Sequence, residues 1–392
     1  MQNTKLYVLF IILVMLTGSF FPVTALLSNN VTIRNSGTVL PILPLHVEGR
    51  YIKNSLGQIV YLRGINKHGF EGSPYGDWQT PSGSIVWSPF DPTIVAANLD
   101  AMKSWGMNTV RSYATAEFWI NNTGDHRQII KQNAELLEAR GMYLIYTFWR
   151  ADYGASQQNL PYPTTAIPNA TAFVNLWSNI ANELKGYPNI IFSLWNEPEP
   201  SNETVRAEWF TTVQSCINAI RETGATNLII VQSDGILYNM DYGQAPTNSP
   251  SPYGDTLWWI EAYPLNDSLG NLVYEFHNYR GGLHKFVNGT RVDVWEYDDL
   301  KKGFQYTLVE YVLFNLNKPL IVGEIGPNMW STGEELQHEL QFYQNALQLF
   351  KDWEMNFIGF WWWPAGTYAH LTGNPNYEPN QAGQILKSAL SR

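Results

Sequence analysis

The chain has 392 residues, 45% of them hydrophobic and 15% charged, which excludes a disordered chain and leaves ample length for a large buried core. A formal net charge of −10 argues against a nucleic-acid partner, and the single cysteine, Cys216, excludes an intrachain disulfide. With 16 Trp, 22 Tyr and 18 Phe, the chain offers more flat aromatic faces than a core alone requires.

Lys5 precedes an apolar run over residues 6–16, and Val23-Thr24-Ala25 gives a small-x-small ending. A basic start, an apolar middle and such an ending describe a secretory signal over residues 1–25, so the protein is expected to be secreted; an uncleaved N-terminal anchor is the rival. Six N-x-[ST] sequons, at Asn30, Asn121, Asn169, Asn202, Asn266 and Asn288, fit export and a glycoprotein. Residues 26–46, with two prolines and no period, read as a linker or extended edge segment.

From residue 47 to 392 apolar runs alternate with helical patterns. The runs lie at 59–65, 109–112, 143–148, 190–195, 228–232, 272–276, 320–322 and 357–361. Each is continuous rather than alternating, as in parallel strands buried on both faces. Between them Val95, Leu99 and Met102 repeat at helical spacing, as do Ile130, Ala134 and Leu137, and Val213, Ile217 and Ile220 with Cys216 on the same face. Leu308 and Val312 begin a further stripe, and Leu336, Leu340, Tyr343, Leu347 and Phe350 form the longest. Asp91-Pro92 suits a helix start, and Gly141 and Gly224 suit helix ends. Eight strands alternating with helices predict a (β/α)8 barrel of the α/β class, one domain with long βα loops at 69–90 and 233–271. A doubly wound open sheet is the rival, weakened by the lack of a Gly-rich phosphate loop.

Two glutamates end apolar runs: Glu197 in Leu194-Trp195-Asn196-Glu197-Pro198 and Glu324 in Val322-Gly323-Glu324-Ile325-Gly326. At the C-terminal ends of strands four and seven they would face each other across the barrel mouth. A single strand-end glutamate is more often a structural ion pair, but two in this setting are what glycosidic bond cleavage needs. Neither a Gly-x-Ser-x-Gly elbow nor a zinc motif is present; in His338-Glu339 the second ligand position is Phe342.

These residues resemble glycoside hydrolase family 5, the cellulase-like (β/α)8 retaining glycosidases. The resemblance runs through Leu62-Arg63-Gly64-Ile65-Asn66, Asn108-Thr109-Val110-Arg111, His277-Asn278-Tyr279 and Trp361-Trp362-Trp363, and so spans roughly 47–390. It implies double displacement, with Glu197 as general acid and base and Glu324 as nucleophile. The acid must hold its proton while the nucleophile stays ionised, with Arg111 as its positive partner and Trp195 beside the acid. Asn196 would bond the sugar 2-hydroxyl, Tyr279 would donate to the nucleophile, and His277 would bind or orient at the same subsite. Trp363, on a face shared with Trp361, is the preferred sugar platform; Trp78, Trp87, Trp258 and Trp259 are further candidates. His68 would reach the rim from strand one. The family usually carries a histidine at the end of strand three, where this chain has Trp149 in Tyr146-Thr147-Phe148-Trp149-Arg150-Ala151-Asp152, which puts that sugar contact in doubt.

The expected activity is therefore an endo-acting β-1,4-glycanase on a β-linked glucan, with no cofactor, no metal and no nucleic-acid partner, in a monomer. A β-mannanase with the same machinery is one alternative, and a non-catalytic carbohydrate-binding barrel is another. Each non-catalytic residue also has a plainer reading, as a packing group or a strand-end ion pair.

Overall fold

The computed structural model describes residues 42–68, 90–149, 161, 167, 169–200, 202–236, 240–242, 257–281, 283–288, 290–362 and 377–391. Eight parallel strands close into a barrel: β1 (Arg63–His68), β2 (Thr109–Thr115), β3 (Tyr143–Trp149), β4 (Ile190–Ser193), β5 (Ile229–Ile236), β6 (Leu272–Asn278), β7 (Leu320–Ile325) and β8 (Asn356–Gly359). Each pairs with its chain neighbour, and β8 returns to β1, so closure leaves no open edge. The sheet is a barrel and not the rival open sheet.

Helices lie between the strands as the periodicity predicts. Pro92–Ser104 starts where Asp91 Oδ1 accepts from Thr93 N at 2.8 Å, and it buries Val95, Leu99 and Met102. Helices His126–Glu138, Ala170–Leu184, Glu203–Glu222, Gly333–Asp352 and Gln381–Leu390 pack their apolar stripes on the sheet. Asn169, Asn202 and Asn380 cap three helices through their side chains. Gly141 and Gly224, at φ +65° and +83°, follow two helix ends in the left-handed conformation that glycine adopts freely. One stripe differs from its reading. Leu308 is not inside a helix but stands at φ +67° between Tyr297–Tyr306 and Val309–Phe314, so the pattern there serves two short helices.

Between β6 and Tyr297–Tyr306, a hairpin of Leu283–Val287 and Thr290–Asp293 continues in parallel pairing with Met240–Tyr242. At the opposite end, Leu45–Glu48 pairs antiparallel with Tyr51–Asn54. This strand uses the last residues of the segment read as a linker, and its Leu45 is buried. Ile42, Leu45 and Ile52 close the barrel floor over an interior layer of Ile145, Ile191, Ile230, Val273, Ile321 and Ile358. Residues 1–25, and with them the signal or anchor, lie outside the described residues, as do most of 69–90 and much of 233–271. Among the described residues no helix is long and apolar enough to cross a membrane. Asn121, Asn169, Asn202, Asn266 and Asn288 are all exposed.

Candidate active site

Strand alternation places the first site groups. On β2 a period of two sends Arg111 and Tyr113 into the barrel, and on β6 it sends Glu275 and His277, with Tyr279 following. Arg111 is fully buried. Its Nη2 lies 2.7 Å from Glu275 Oε1 and 2.8 Å from Asn196 Oδ1, and its Nη1 lies 3.1 Å from Asn66 Oδ1 and 3.3 Å from Glu324 Oε1. Asn66 is fixed in turn by donating to the carbonyls of Gly323 and Gly359.

The two candidate carboxylates depart from simple alternation. On β7, Ile321 faces the interior while Leu320, Val322 and Ile325 face the helices. Glu324 nevertheless reaches the barrel mouth, because the register with β6 and with β8 shifts just after Val322. A bulge of this kind re-aims a side chain. Gly323 is required in it, since a Cβ there would stand 1.8 Å from Glu275 Oε1. On β4, Ser193 faces inward and Leu194 and Trp195 face the helix layer; Asn196 and Glu197 then both turn to the site. Glu197 does so at φ +50°, a left-handed conformation uncommon outside glycine, asparagine and aspartate. Its backbone N donates to Gln232 Oε1 at 2.9 Å.

Glu324 accepts from the Tyr113 hydroxyl at Oε1 and from the Tyr279 hydroxyl at Oε2, the latter at 2.6 Å. His277 Nδ1 lies 2.7 Å from Glu197 Oε1 and 3.5 Å from Glu324 Oε2, and its Nε2 lies 3.0 Å from Glu275 Oε1. Three carboxylates thus surround one imidazole and one guanidinium. Burial alone disfavours the His277 imidazolium, but Glu324, Glu197 and Glu275 overcome that and raise its pKa to about 9. Burial pushes the Glu324 carboxyl above the ordinary carboxylate range; His277 opposes this, Glu197 adds to it, and Arg111 and the Tyr113 hydroxyl oppose it again. Burial would also raise Glu275, but Arg111 and then His277 hold it below that range. Deep burial raises the phenols of Tyr113 and Tyr279 well above their ordinary values, so both act as hydroxyl donors.

Glu197, His277 and Glu324 each offer one ligand atom, all within 4.8 Å of one another, the spacing of a cation site. In its protonated form the imidazole donates from both nitrogens to carboxylates, which leaves it no lone pair for a metal. The arrangement is a hydrogen-bonded ion cluster of three carboxylates, one imidazole and one guanidinium.

The structure brings Asn196, Glu197, Arg111, His277, Tyr279 and Glu324 together. His68 ends β1 opposite Tyr113 in register, and Trp149 ends β3 opposite Thr115, but the side chains of both lie outside the described residues, as do Trp363, Trp78 and Trp87 entirely. Three tryptophans named as possible site groups pack in or against the core. Trp195 packs in the helix layer edge-on to Phe173, 5.9 Å between centroids. Trp259 is fully buried and stacks on Phe210, and Trp258 packs against the same core with the Arg206 guanidinium over its ring. The half zinc motif serves other ends: His338 stacks on Trp295, and Glu339 bonds Arg280 and the backbone N of Asn328. Near the mouth, Phe360 stands edge-on to Tyr279, with Trp361 beside it at 5.1 Å, and Trp362 turns outward to Trp105 and Tyr377.

Tyr113, Glu275, Gln232 and Asn66 were not singled out from sequence. Tyr113 and Glu275 carried a usable signal, each lying two residues from a chosen group on the same strand.

Residues 63–377 match the family model described as cellulase (glycosyl hydrolase family 5). A manganese dependent endoglucanase, Eg5A, of Phanerodontia chrysosporium is 28% identical over 223 residues, covering 53% of this chain and 49% of that one. Endoglucanase EG-II of Hypocrea jecorina is 22% identical over 240 residues, covering 57% and 50%. The chain thus spans about half the length of these curated relatives. Among solved structures, a hyperthermophilic endocellulase from the archaeon Pyrococcus horikoshii superposes with a TM-score of 0.63 at 18% identity, covering 89% of this chain and 99% of that one. A β-glucanase from Saccharophagus degradans in complex with cellotetraose gives 0.62 at 17%, covering 89% and 93%. The fold is shared with these, and the chain belongs to glycosyl hydrolase family 5.

Proposed function

We propose that this family 5 protein is a retaining, endo-acting β-1,4-glucanase. The observation that carries the reading is the close approach of Glu197 and Glu324, whose facing oxygens lie within 4.8 Å of each other at the barrel mouth. Retaining glycosidases hold their carboxyls about 5–5.5 Å apart, and inverting ones leave roughly 6.5–9.5 Å for a water. Glu324 is the nucleophile: two phenol hydroxyls and Arg111 fix both its oxygens, and stabilise its charge before attack. Glu197, more exposed than Glu324 and bonded to His277 Nδ1, protonates the leaving oxygen and later activates water. Asn196 Oδ1 accepts from Arg111 Nη2, which leaves its amide NH2 as a donor for a sugar hydroxyl. Trp361, beside Phe360 near Tyr279, offers an aromatic face for a pyranose ring.

Support for a glucan substrate comes from relatives named as endoglucanases and from a neighbouring fold solved with cellotetraose. Residues 1–25 and the exposed sequon asparagines support export.

Reducing-sugar release from a soluble cellulose derivative, β-mannan and xylan tests this, run beside Glu324→Ala. Release from the glucan that Glu324→Ala abolishes is the expected result. A mannan preference would keep the chemistry and replace the substrate, and no release by the folded protein would favour a carbohydrate-binding barrel.

A further inference from the structure

Glu275 is fully buried on β6, two residues before His277, and the reaction as described above does not use it. Its Oε1 meets Arg111 Nη2 at 2.7 Å and His277 Nε2 at 3.0 Å, and its Oε2 accepts from Ser193 Oγ at 3.2 Å. The place it occupies is kept open by Gly323, whose missing Cβ would fall 1.8 Å from Oε1. A buried carboxylate is costly unless paired and hydrogen-bonded, and this one has a guanidinium, an imidazole and a hydroxyl. Paired with Arg111 it is ionised, and an ionised carboxylate can only accept. The His277 Nε2 that faces it must therefore carry a hydrogen. That leaves Nδ1 to face Glu197 Oε1 at 2.7 Å, a contact with room for one proton. Either Nδ1–H donates to the carboxylate, or the protonated carboxyl donates to the Nδ1 lone pair.

We propose that Glu275 is a positioning residue that keeps His277 Nε2 protonated, so that His277 Nδ1 and Glu197 share the one proton the general acid delivers. This rests on Glu197 being the acid. In the first step the shared proton passes through Glu197 to the leaving oxygen as the glycosidic C–O bond breaks and its electron pair goes to that oxygen. Glu324 forms the new bond to the anomeric carbon. In the second step water attacks that carbon, Glu324 leaves with the electron pair, and the water's proton returns to the Glu197–His277 pair. Water and the glycan are the only reactants.

The charged and titratable groups around His277 are Glu275 of β6 with Tyr279 just after that strand, Glu197 in the segment after β4 and Glu324 from β7 at 3.5 Å. Arg111 and Tyr113 of β2 lie beyond the carboxylates. Removing the Glu275 charge takes one of three carboxylates from the imidazolium, so the shared proton is lost at lower pH.

Nitrogen-detected NMR of the intact protein carrying 15N-histidine, with His277 identified by its loss in His277→Asn, reads this without activity. The expected result is a hydrogen on Nε2 throughout about pH 5 to about 8. A neutral ring with its hydrogen on Nδ1 and none on Nε2 overturns the proposal. In Glu275→Gln, kcat on the soluble glucan falls on the order of 10–100-fold with KM within about twofold, and the alkaline limb of kcat/KM moves down by about one pH unit. A folded Glu275→Gln with an unmoved limb also overturns it, because a purely structural role would lower stability and leave the limb in place. Should Glu275→Gln fail to fold, the wild-type spectrum decides. A wild-type protein inactive on every glycan would instead count against the glucanase reading, with the spectrum still testing the tautomer.

Discussion

The floor and the mouth of this barrel are built by the same eight strands with opposite contents. At the floor the inward residues are Ile145, Ile191, Ile230, Val273, Ile321 and Ile358, in regular alternation under the Leu45–Asn54 hairpin. Two residues further along several of these strands the inward groups become Ser193, Gln232, Glu275 and Gly323, joined by Arg111 and Asn66. The backbone changes with them. The floor keeps its register, whereas the mouth bulges at Gly323 and turns left-handed at Glu197. Apolar layers reward regular packing. A reactive layer must instead aim specific atoms at one point, and it accepts strain to do so. The floor therefore contributes stability and the mouth contributes chemistry.

That division can be broken by mutation. The largest effect expected is in Glu324→Ala: loss of on the order of 10⁴-fold or more in kcat, with thermal stability unchanged or raised because a buried carboxylate beside Glu197 is gone. Calorimetry beside kinetics checks it, and a large fall in Tm would show that the mouth also carries stability. Conversely, Ile52→Ala at the floor should cost about 2–5 kcal/mol of unfolding free energy in urea titration, with kcat/KM at low temperature unchanged. Tyr113→Phe removes one charge-assisted hydrogen bond to Glu324, worth about 1.5–3 kcal/mol, so kcat should fall by about 10–100-fold.

The pH profile sharpens the same contrast. Glu324 must be ionised to attack, and its carboxyl lies above the ordinary range, so kcat/KM should fall as pH drops through a value above about 4.3. In Tyr113→Phe the ionised form loses a donor, and that limb should move to higher pH. The smallest effect belongs to the floor's rim, where Glu354 accepts from Arg50 and Tyr51. Its carboxyl is held below the usual range, chiefly by the Tyr51 hydroxyl, so it stabilises the fold above the unfolded value and loses that contribution as pH falls through the folded one. Being part-exposed, the pair is worth about 1 kcal/mol or less, and Glu354→Gln should lower stability by that much at neutral pH and by nothing at strongly acid pH, with activity untouched.

The apolar runs and helical stripes of the sequence were enough for the barrel, its strand order and most of its helices, because period and length reflect burial directly. The two glutamates were visible as polar groups at strand ends, and Arg111, Asn196, His277 and Tyr279 were reached through the resemblance to family 5. Tyr113 and Glu275 were equally visible by the rule of two, yet a lone tyrosine or glutamate within an apolar run carries no sign of its partner across the barrel. The tryptophans show the limit most plainly. Trp195, Trp258 and Trp259 looked like groups for the site, and packing turned them to the core, since composition reports how many indoles there are and not which way they face. What the sequence determined by itself is the alternation that closes the barrel and the strand ends at which chemistry sits. What only the tertiary structure decided is the cluster itself: a bulge at Gly323 and a left-handed Glu197 bring residues from β2, β4, β6 and β7 around one imidazole. Their pairing depends on distances between strands far apart in the chain, which no local pattern encodes.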